Sequence, residues 1–491
     1  MSKLLQRLVS GNLLNNNVLM LAILILAIIL RIIFIDSRSL WLDEIFSLKM
    51  AENDVLDLVQ EVVRIDNHPP IYYIILHYWI SLFGDSELSL RAPSAIFSFL
   101  SVYFTYKVGV LLFNKQTAII AGLLLSTSTF SIYYAQEARM YSFLAFASVV
   151  SVYFLLILLK HQTKWSMFNF VWSSTLLVYS HLYGLFILVA ENIYILAAIY
   201  AFKNKTVVIQ IKHWLIAQIL IFLLSLPWFL MLINRILYVS NDGFWVKIPT
   251  LESVLNTFIE FSGNYRGALI WVLLMLLGML SVFIVRTAFG RRFFNERLAT
   301  NEGMHIFFLS LLLFTPIVLP YVISQYVTPI YIIRCTIAGN FAFYLLVANG
   351  IMHLRWRGIR WAALTIILGL SIKALISQDY MYKNAIEFRE AVEYLYKNTT
   401  ENDVVIICSN GHISWPFNYY AEKQKLPARI LEVDGEIILP IHLEANNLWI
   451  VRRTDRVKDC QRSLDLIGSQ FVGVERKELF YRNLGVTEFG K

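Results

Sequence analysis

Asp43 and Glu44 are adjacent in Leu40-Trp41-Leu42-Asp43-Glu44, within the first polar interval after the first long apolar run. A carboxylate held beside a membrane can take a proton from an attacking hydroxyl, a contribution of about 10²–10⁴ in rate. It can also hold a divalent cation through its oxygens, which makes Glu44 a candidate metal ligand. Taken alone, an Asp-Glu pair is most often a solvated helix start, so its company decides its weight. The interval 36–70 carries eight acidic residues against three basic ones, in a chain whose formal net charge is +8. It closes on Asp66-Asn67-His68-Pro69-Pro70. The prolines fix an extended entry into the next segment and so hold His68, a second candidate metal ligand, at the water interface.

Cations follow along the chain. Arg91 lies in Ser89-Leu90-Arg91-Ala92-Pro93-Ser94 at the mouth of an apolar run. There a guanidinium either grips a phosphate bidentately or snorkels to the interface. Tyr133-Tyr134-Ala135-Gln136-Glu137-Ala138-Arg139-Met140-Tyr141 joins two apolar runs through a very short hinge. Ionisable groups at such depth are costly and usually face a bundle interior. Glu137 and Arg139 therefore face a site or satisfy each other, with Tyr141 beside them. His181 occupies another hinge, His181-Leu182-Tyr183-Gly184, and Arg334 lies near the start of a span in Tyr331-Ile332-Ile333-Arg334-Cys335. Arg334 neutralises a second phosphate charge or anchors its helix. Glu191, deep in an apolar run, needs a partner that the sequence does not name.

The elements that position these residues are read from hydropathy. Of the 491 residues, 58% are hydrophobic and only 15% charged, with mean hydropathy +0.60; soluble proteins carry roughly a quarter charged residues. The pattern predicts a polytopic α-helical membrane protein with about eleven spanning helices. They lie near residues 18–35, 94–113, 117–134, 141–159, 166–181, 184–202, 213–232, 267–286, 304–323, 330–350 and 359–377. The first run lacks a small-residue cleavage site and reads as a retained helix.

Loop cations then set the topology. Lys115, Lys160 with Lys164, Lys203 with Lys205 and Lys212, Arg286 with Arg291, Arg292 and Arg297, and Arg355 with Arg357 and Arg360 follow every second run. The positive-inside rule places these loops and the N-terminus in the cytoplasm. The alternation requires that the short run 71–83 lie along the interface, which keeps 36–91 as one long outer loop with juxtamembrane helices. The reading divides the chain into a membrane domain, 1–377, and a small extracytoplasmic α/β domain, 378–491. In the latter, Phe388, Val392 and Leu395 share a helix face, and 404–407 and 448–451 read as buried strands. Cys408 and Cys460 are able to pair only in an oxidising compartment. Nothing in the basic balance calls for nucleic acid.

Four stretches carry a resemblance to a known family. They are Leu40-Trp41-Leu42-Asp43-Glu44, His68-Pro69-Pro70, Glu87-Leu88-Ser89-Leu90-Arg91-Ala92-Pro93-Ser94, and Tyr134-Ala135-Gln136-Glu137-Ala138-Arg139-Met140-Tyr141. In order and spacing these resemble integral-membrane glycosyltransferases of the protein O-mannosyltransferase and aminoarabinose transferase type. The residue before the Pro-Pro is His68, closer to the mannosyltransferase pattern than the lysine of the aminoarabinose branch. The resemblance implies a GT-C bundle, an inverting reaction, and a polyprenyl-phosphate-linked sugar as donor. It implies an acceptor hydroxyl on a glycan, lipid or protein, and a divalent cation in only some members.

Carried over residue by residue, Asp43 looks like the catalytic base and Glu44 its neighbour in the acidic pair. Arg91 and Arg139, with Arg334, look like donor-phosphate ligands. His68, Glu137, Tyr141 and His181 look like site-lining groups. The expected location is the outer face of a plasma (inner) membrane, among membrane lipids. The rival expectations are a glycolipid transporter or flippase, and a catalytically inactive relative that only binds lipid phosphate. A transporter should show inverted repeats and broken midplane helices, which the sequence does not display.

Overall fold

The computed structural model describes residues 16–201, 211–242, 246–263, 265–284, 301–377, 386–408, 413–433, 446–453, 474–481 and 483–490. The chain forms two units, one of residues 1–33, 50–84 and 89–380, the other of 34–49, 85–88 and 381–491.

The first unit is helical. Among the described residues six helices are long and apolar enough to cross a membrane: Glu87–Leu112, Tyr141–His161, Ile211–Ile233, Asn301–Tyr326, Ile333–His353 and Arg357–Ile376. Two bent pairs raise the number to eight, and Asn16–Ile32, Ile71–Phe83 and Gly184–Tyr200 are shorter apolar helices. This is a multi-pass membrane protein. The apolar runs are less uniform than their hydropathy. Run 117–134 is two helices, Lys115–Ser126 and Thr129–Ala135, bent by 58°. Run 166–181 folds as a helix of 15 residues, Lys164–Val178. Run 330–350 begins with a 3-10 turn, Ile333–Gly339, before the α-helix Asn340–His353. Of the loop cations, Lys203, Lys205, Arg286, Arg291, Arg292 and Arg297 lie outside the described residues.

Breaks free backbone carbonyls, which need donors where water is scarce. Buried Arg31 supplies them, donating to the carbonyls of Leu125, Ser126 and Ala27 and to Ser98 Oγ at 2.8–3.4 Å. Close helix approach is set by glycine. A Cβ on Gly278 would overlap Leu346 O, and one on Gly350 would overlap Leu274 O. Helices Tyr265–Ile284 and Asn340–His353 therefore meet backbone to backbone, as small residues allow in membranes. Asn349 Nδ2 adds a hydrogen bond to Gly278 O at 3.0 Å. Glu191 gains a partner here, its Oε1 accepting from Ser151 Oγ at 2.9 Å.

The second unit contains a five-stranded sheet in the order β2-β1-β3-β5-β4. The strands are β1 Val404–Cys408, β2 Arg429–Val433, β3 Asn447–Arg453, β4 Val474–Tyr481 and β5 Leu484–Gly490. β1 runs parallel to β2 and β3, while β5 runs antiparallel to β3 and β4. Every residue of β1 is buried, as a central parallel strand requires. Asn483 turns the tight β4–β5 hairpin with φ 59°, a conformation Asn tolerates better than most residues. Helix Phe388–Asn398 buries Phe388, Ala391, Val392 and Leu395. Asp403 closes the start of β1, accepting from the backbone of Thr400 and of Asn447. Cys408 is buried in β1, and Cys460 lies outside the described residues.

Candidate active site

In the first unit the charged residues of the hinges meet around Asp66. His68 Nδ1 and Asp66 Oδ1 are 2.7 Å apart, and the backbone N–H of Asn67 donates to the same oxygen. Tyr73, near the start of helix Ile71–Phe83, donates its hydroxyl proton to Asp66 Oδ2. Pro70 is already helical, with φ −74° and ψ −13°, so the sequence expectation of an extended entry does not hold there, and it starts the helix that returns Tyr73 over Asp66. The buried Arg139 guanidinium donates through Nη1 to the Tyr73 hydroxyl at 3.1 Å. Its backbone is pinned in turn, since Arg139 O accepts from Ser94 Oγ, which Tyr72 OH meets at 2.9 Å. The Ser94 hydroxyl, in the segment after Arg91, thus fixes the hinge that carries Arg139.

The rings continue the cluster. The His68 and His181 rings lie 4.9 Å apart, and His181 and Tyr141 lie 6.3 Å apart. The Arg334 guanidinium sits over the Tyr141 ring at 5.3 Å, a cation–π contact that aims it at the same place. Tyr141 also meets Tyr134 edge to face, and Glu137 and Arg334 both act on Tyr134 electrostatically. Glu137 and Arg91 are themselves buried.

Proton positions follow from these contacts. Burial alone would raise the Asp66 carboxyl, but His68, Arg139 and the Tyr73 hydroxyl overcome it and hold the group well below the ordinary carboxylate range. Asp66 is an anion that orients its neighbours. Burial, reinforced by His68, Arg139 and Arg334, pushes the His181 imidazole well below its usual value. His181 Nδ1 accepts the backbone N–H of Tyr183 at 3.1 Å, which leaves Nε2 facing Cys335 Sγ at 3.6 Å. His181 is thereby a neutral, Nε2-protonated imidazole. The arrangement gives Arg139 and Arg334 fixed positive charge with little water nearby, suited to an anionic group such as a phosphate.

In the second unit, Asp43 lies in the first turn of helix Leu42–Glu52, half-buried, with Glu44 fully buried beside it. The helix N-terminus favours negative charge there. Glu44 Oε2 accepts from the backbone N–H of Trp41 at 3.4 Å, so this carboxylate caps its own helix, whereas Asp43 is the more open of the two. Among the described residues no cluster of three or more His, Cys, Asp and Glu side chains is placed to hold a metal ion. The structure thus gathers His68, Arg139, Tyr141, His181 and Arg334 in the first unit. Asp43 and Glu44 belong to the second.

Asp66 and Tyr73 carry no functional weight in a sequence reading, although both bind site residues. The one available signal was the i,i+2 spacing of Asp66 and His68.

Residues 67–231 match the family model described as dolichyl-phosphate-mannose-protein mannosyltransferase. The chain resembles these membrane mannosyltransferases. The matched segment is a third of the chain, and it contains His68, Arg91, Glu137, Arg139, Tyr141 and His181. Among solved structures, the Archaeoglobus fulgidus oligosaccharyltransferase, solved with zinc and sulfate, superposes with a TM-score of 0.53 at 12% identity. The match covers 88% of this chain and 67% of that one. The same organism's oligosaccharyltransferase AglB, in complex with an inhibitory peptide and a dolichol-phosphate, gives 0.51 at 13% identity over 89% and 69%. Apo ArnT from Cupriavidus metallidurans gives 0.47 at 10% identity over 96% and 97%. The archaeal structures show that this chain has the GT-C fold. No curated protein matches it in sequence.

Proposed function

We propose that the protein is a glycosyltransferase that moves a sugar from a polyprenyl-phosphate-linked donor to an acceptor hydroxyl at the outer face of a plasma membrane, with inversion. The observation that carries this reading is the buried Arg139, joined through Tyr73 to Asp66 and His68, with Arg334 over Tyr141. It is a buried polar cluster carrying two guanidinium groups in a multi-pass membrane protein, within and beside a segment that matches mannosyltransferases. The dolichol-phosphate bound by the similar archaeal AglB supports a lipid phosphate as its ligand.

Arg91, Arg139 and Arg334 hold the donor phosphate. Asp43 takes the proton from the acceptor hydroxyl as its oxygen attacks the anomeric carbon. The anomeric C–O bond to phosphate breaks, and the leaving polyprenyl phosphate keeps the electron pair under the guanidinium charges. Fixed cations aimed at developing negative charge are often the largest catalytic contribution in such sites. His68, Glu137, Tyr141 and His181 are the site-lining groups of this reading. Glu44 and His68, the candidate ligands of a divalent cation, belong to different units, and among the described residues no group of three or more His, Cys, Asp and Glu side chains is placed to hold a metal ion.

The test is turnover of a panel of undecaprenyl-phosphate-linked sugars by the purified protein, read as free undecaprenyl phosphate. Release supports transfer. Donor moved intact between vesicle leaflets would instead make the protein a transporter, and binding without either would make it an inactive relative.

A further inference from the structure

The approach to the Asp43 helix is held by side chains more than three hundred residues away in sequence, all within the second unit. Arg389 Nη1 donates to Asp36 O at 3.0 Å and Nη2 to Ser37 O at 3.4 Å. The same guanidinium pairs with Glu87 at 3.2 Å and with Glu390 at 3.0 Å. The backbone N–H of Arg389 donates to Ser39 Oγ, and Ser39 Oγ donates to Glu390 Oε2 at 3.0 Å. The backbone N–H of Leu40 donates to Tyr420 OH at 2.7 Å, and that hydroxyl donates to Glu87 Oε1 at 3.1 Å. Beyond the loop, Phe46 stacks parallel to Trp415, and Lys49 Nζ lies 4.2 Å over the Trp415 ring.

Four successive points of the loop 36–40 are thus fixed just before Leu42–Glu52 begins. Partly exposed ion pairs of this kind add little stability by themselves. Their geometry is the informative part. A guanidinium presents donors in a rigid fork, so one side chain grips two carbonyls and two carboxylates at once. Ile45 and Leu48 on this helix are buried, which opposes rotation about its axis once the loop is set.

We infer that Arg389 and Tyr420 are positioning residues for the Asp43 base: the C-terminal α/β region is a clamp that fixes where the catalytic carboxylate stands. The inference rests on the reading of Asp43 given above. A base must be held within about 0.5 Å of its productive place, and a displacement of about 1 Å costs about 100-fold in rate. Substrate does not need to touch Arg389 or Tyr420 for either to matter. Glu87 joins the two, since one of its oxygens meets both Arg389 and Tyr420.

The experiment uses the full-length protein in detergent or vesicles, with R389A, R389K, Y420F and D43N. Hydrogen exchange over 36–48 should accelerate in R389A and Y420F, with the Leu40 amide most affected. For an undecaprenyl-phosphate-linked sugar that wild type turns over, R389A should lower kcat by about 10- to 100-fold. Its KM and its affinity for undecaprenyl phosphate should stay within about twofold. R389K should recover part of the rate. The double variant D43N/R389A should be no slower than D43N, because a residue acting through Asp43 has nothing left to position. If D43N is inactive while R389A keeps wild-type kcat and protection, the clamp is overturned and the base stands. If losses in D43N/R389A simply add, Arg389 acts through general stability and the inference again fails. If D43N keeps full activity, the base assignment falls first and takes the clamp's stated purpose with it.

Discussion

The Arg139 side chain hydrogen-bonds Tyr73 and its charge acts on Asp66 and His181, while its backbone carbonyl accepts from Ser94. Replacing it by glutamine removes the charge and keeps some hydrogen bonding. Because hydrogen bonds to charged groups contribute about 1.5–3 kcal/mol, R139Q should bind undecaprenyl phosphate about 10- to 100-fold more weakly, measured by calorimetry. Unchanged affinity would remove Arg139 from the phosphate site. His181 supplies a pH prediction. Its folded-state pKa lies below its unfolded value of about 6.5, so the unfolded chain takes up a proton first as pH falls. Stability is therefore lost on acidification through that range. Asp66 acts in the same direction at lower pH, since its depressed carboxyl contributes stability above about 3.8 and loses it below. The melting temperature should drop between pH 7 and 5, and H181Q should flatten that drop. Arg139 was legible in the sequence because charge is conspicuous in an apolar run. Asp66 was not, because in an acidic island it looks like one more solvated carboxylate until Tyr73 is folded over it.

Glycine contacts decide how the elements pack in the membrane. Gly350→Val puts a side chain where Leu274 O already stands, so it should abolish a monodisperse detergent-extracted species. Gly369 has open space around it, and Gly369→Ala should elute and melt as wild type does. Equal behaviour of the two variants would refute the backbone contact. Hydropathy located the apolar runs but not their breaks: the 58° bend after Ser126 depends on Arg31, which reads from sequence only as the end of a span. The Val/Ile-rich strands β1 and β3 were readable as buried. The strands β2, β4 and β5 were not, since β4 carries Glu475, Arg476, Lys477 and Glu478 and lies at the sheet edge.

At the scale of the molecule, the phosphate-suited cations and the candidate base belong to different units of one chain. Hydropathy and loop charge read 36–91 as one outer loop of the membrane domain. In the structure 34–49 and 85–88 cluster with 381–491. Contacts such as Arg389 with Asp36 have no local signature, because nothing in hydropathy or spacing links residues so far apart. The four motifs that suggested a glycosyltransferase were legible because each puts costly polar residues beside apolar runs. The donor sugar and the acceptor leave no such mark.

The central claim is that Asp43 removes the proton of the acceptor hydroxyl. Its most direct test is the rate of undecaprenyl phosphate release from a lipid-linked sugar that wild type consumes, compared with Asp43→Asn. Asparagine keeps the size and removes the base, so the account predicts a fall in kcat of about 100-fold or more with donor affinity preserved. Wild-type turnover by Asp43→Asn would contradict it and move the base to another carboxylate, Glu44 or Glu137 first.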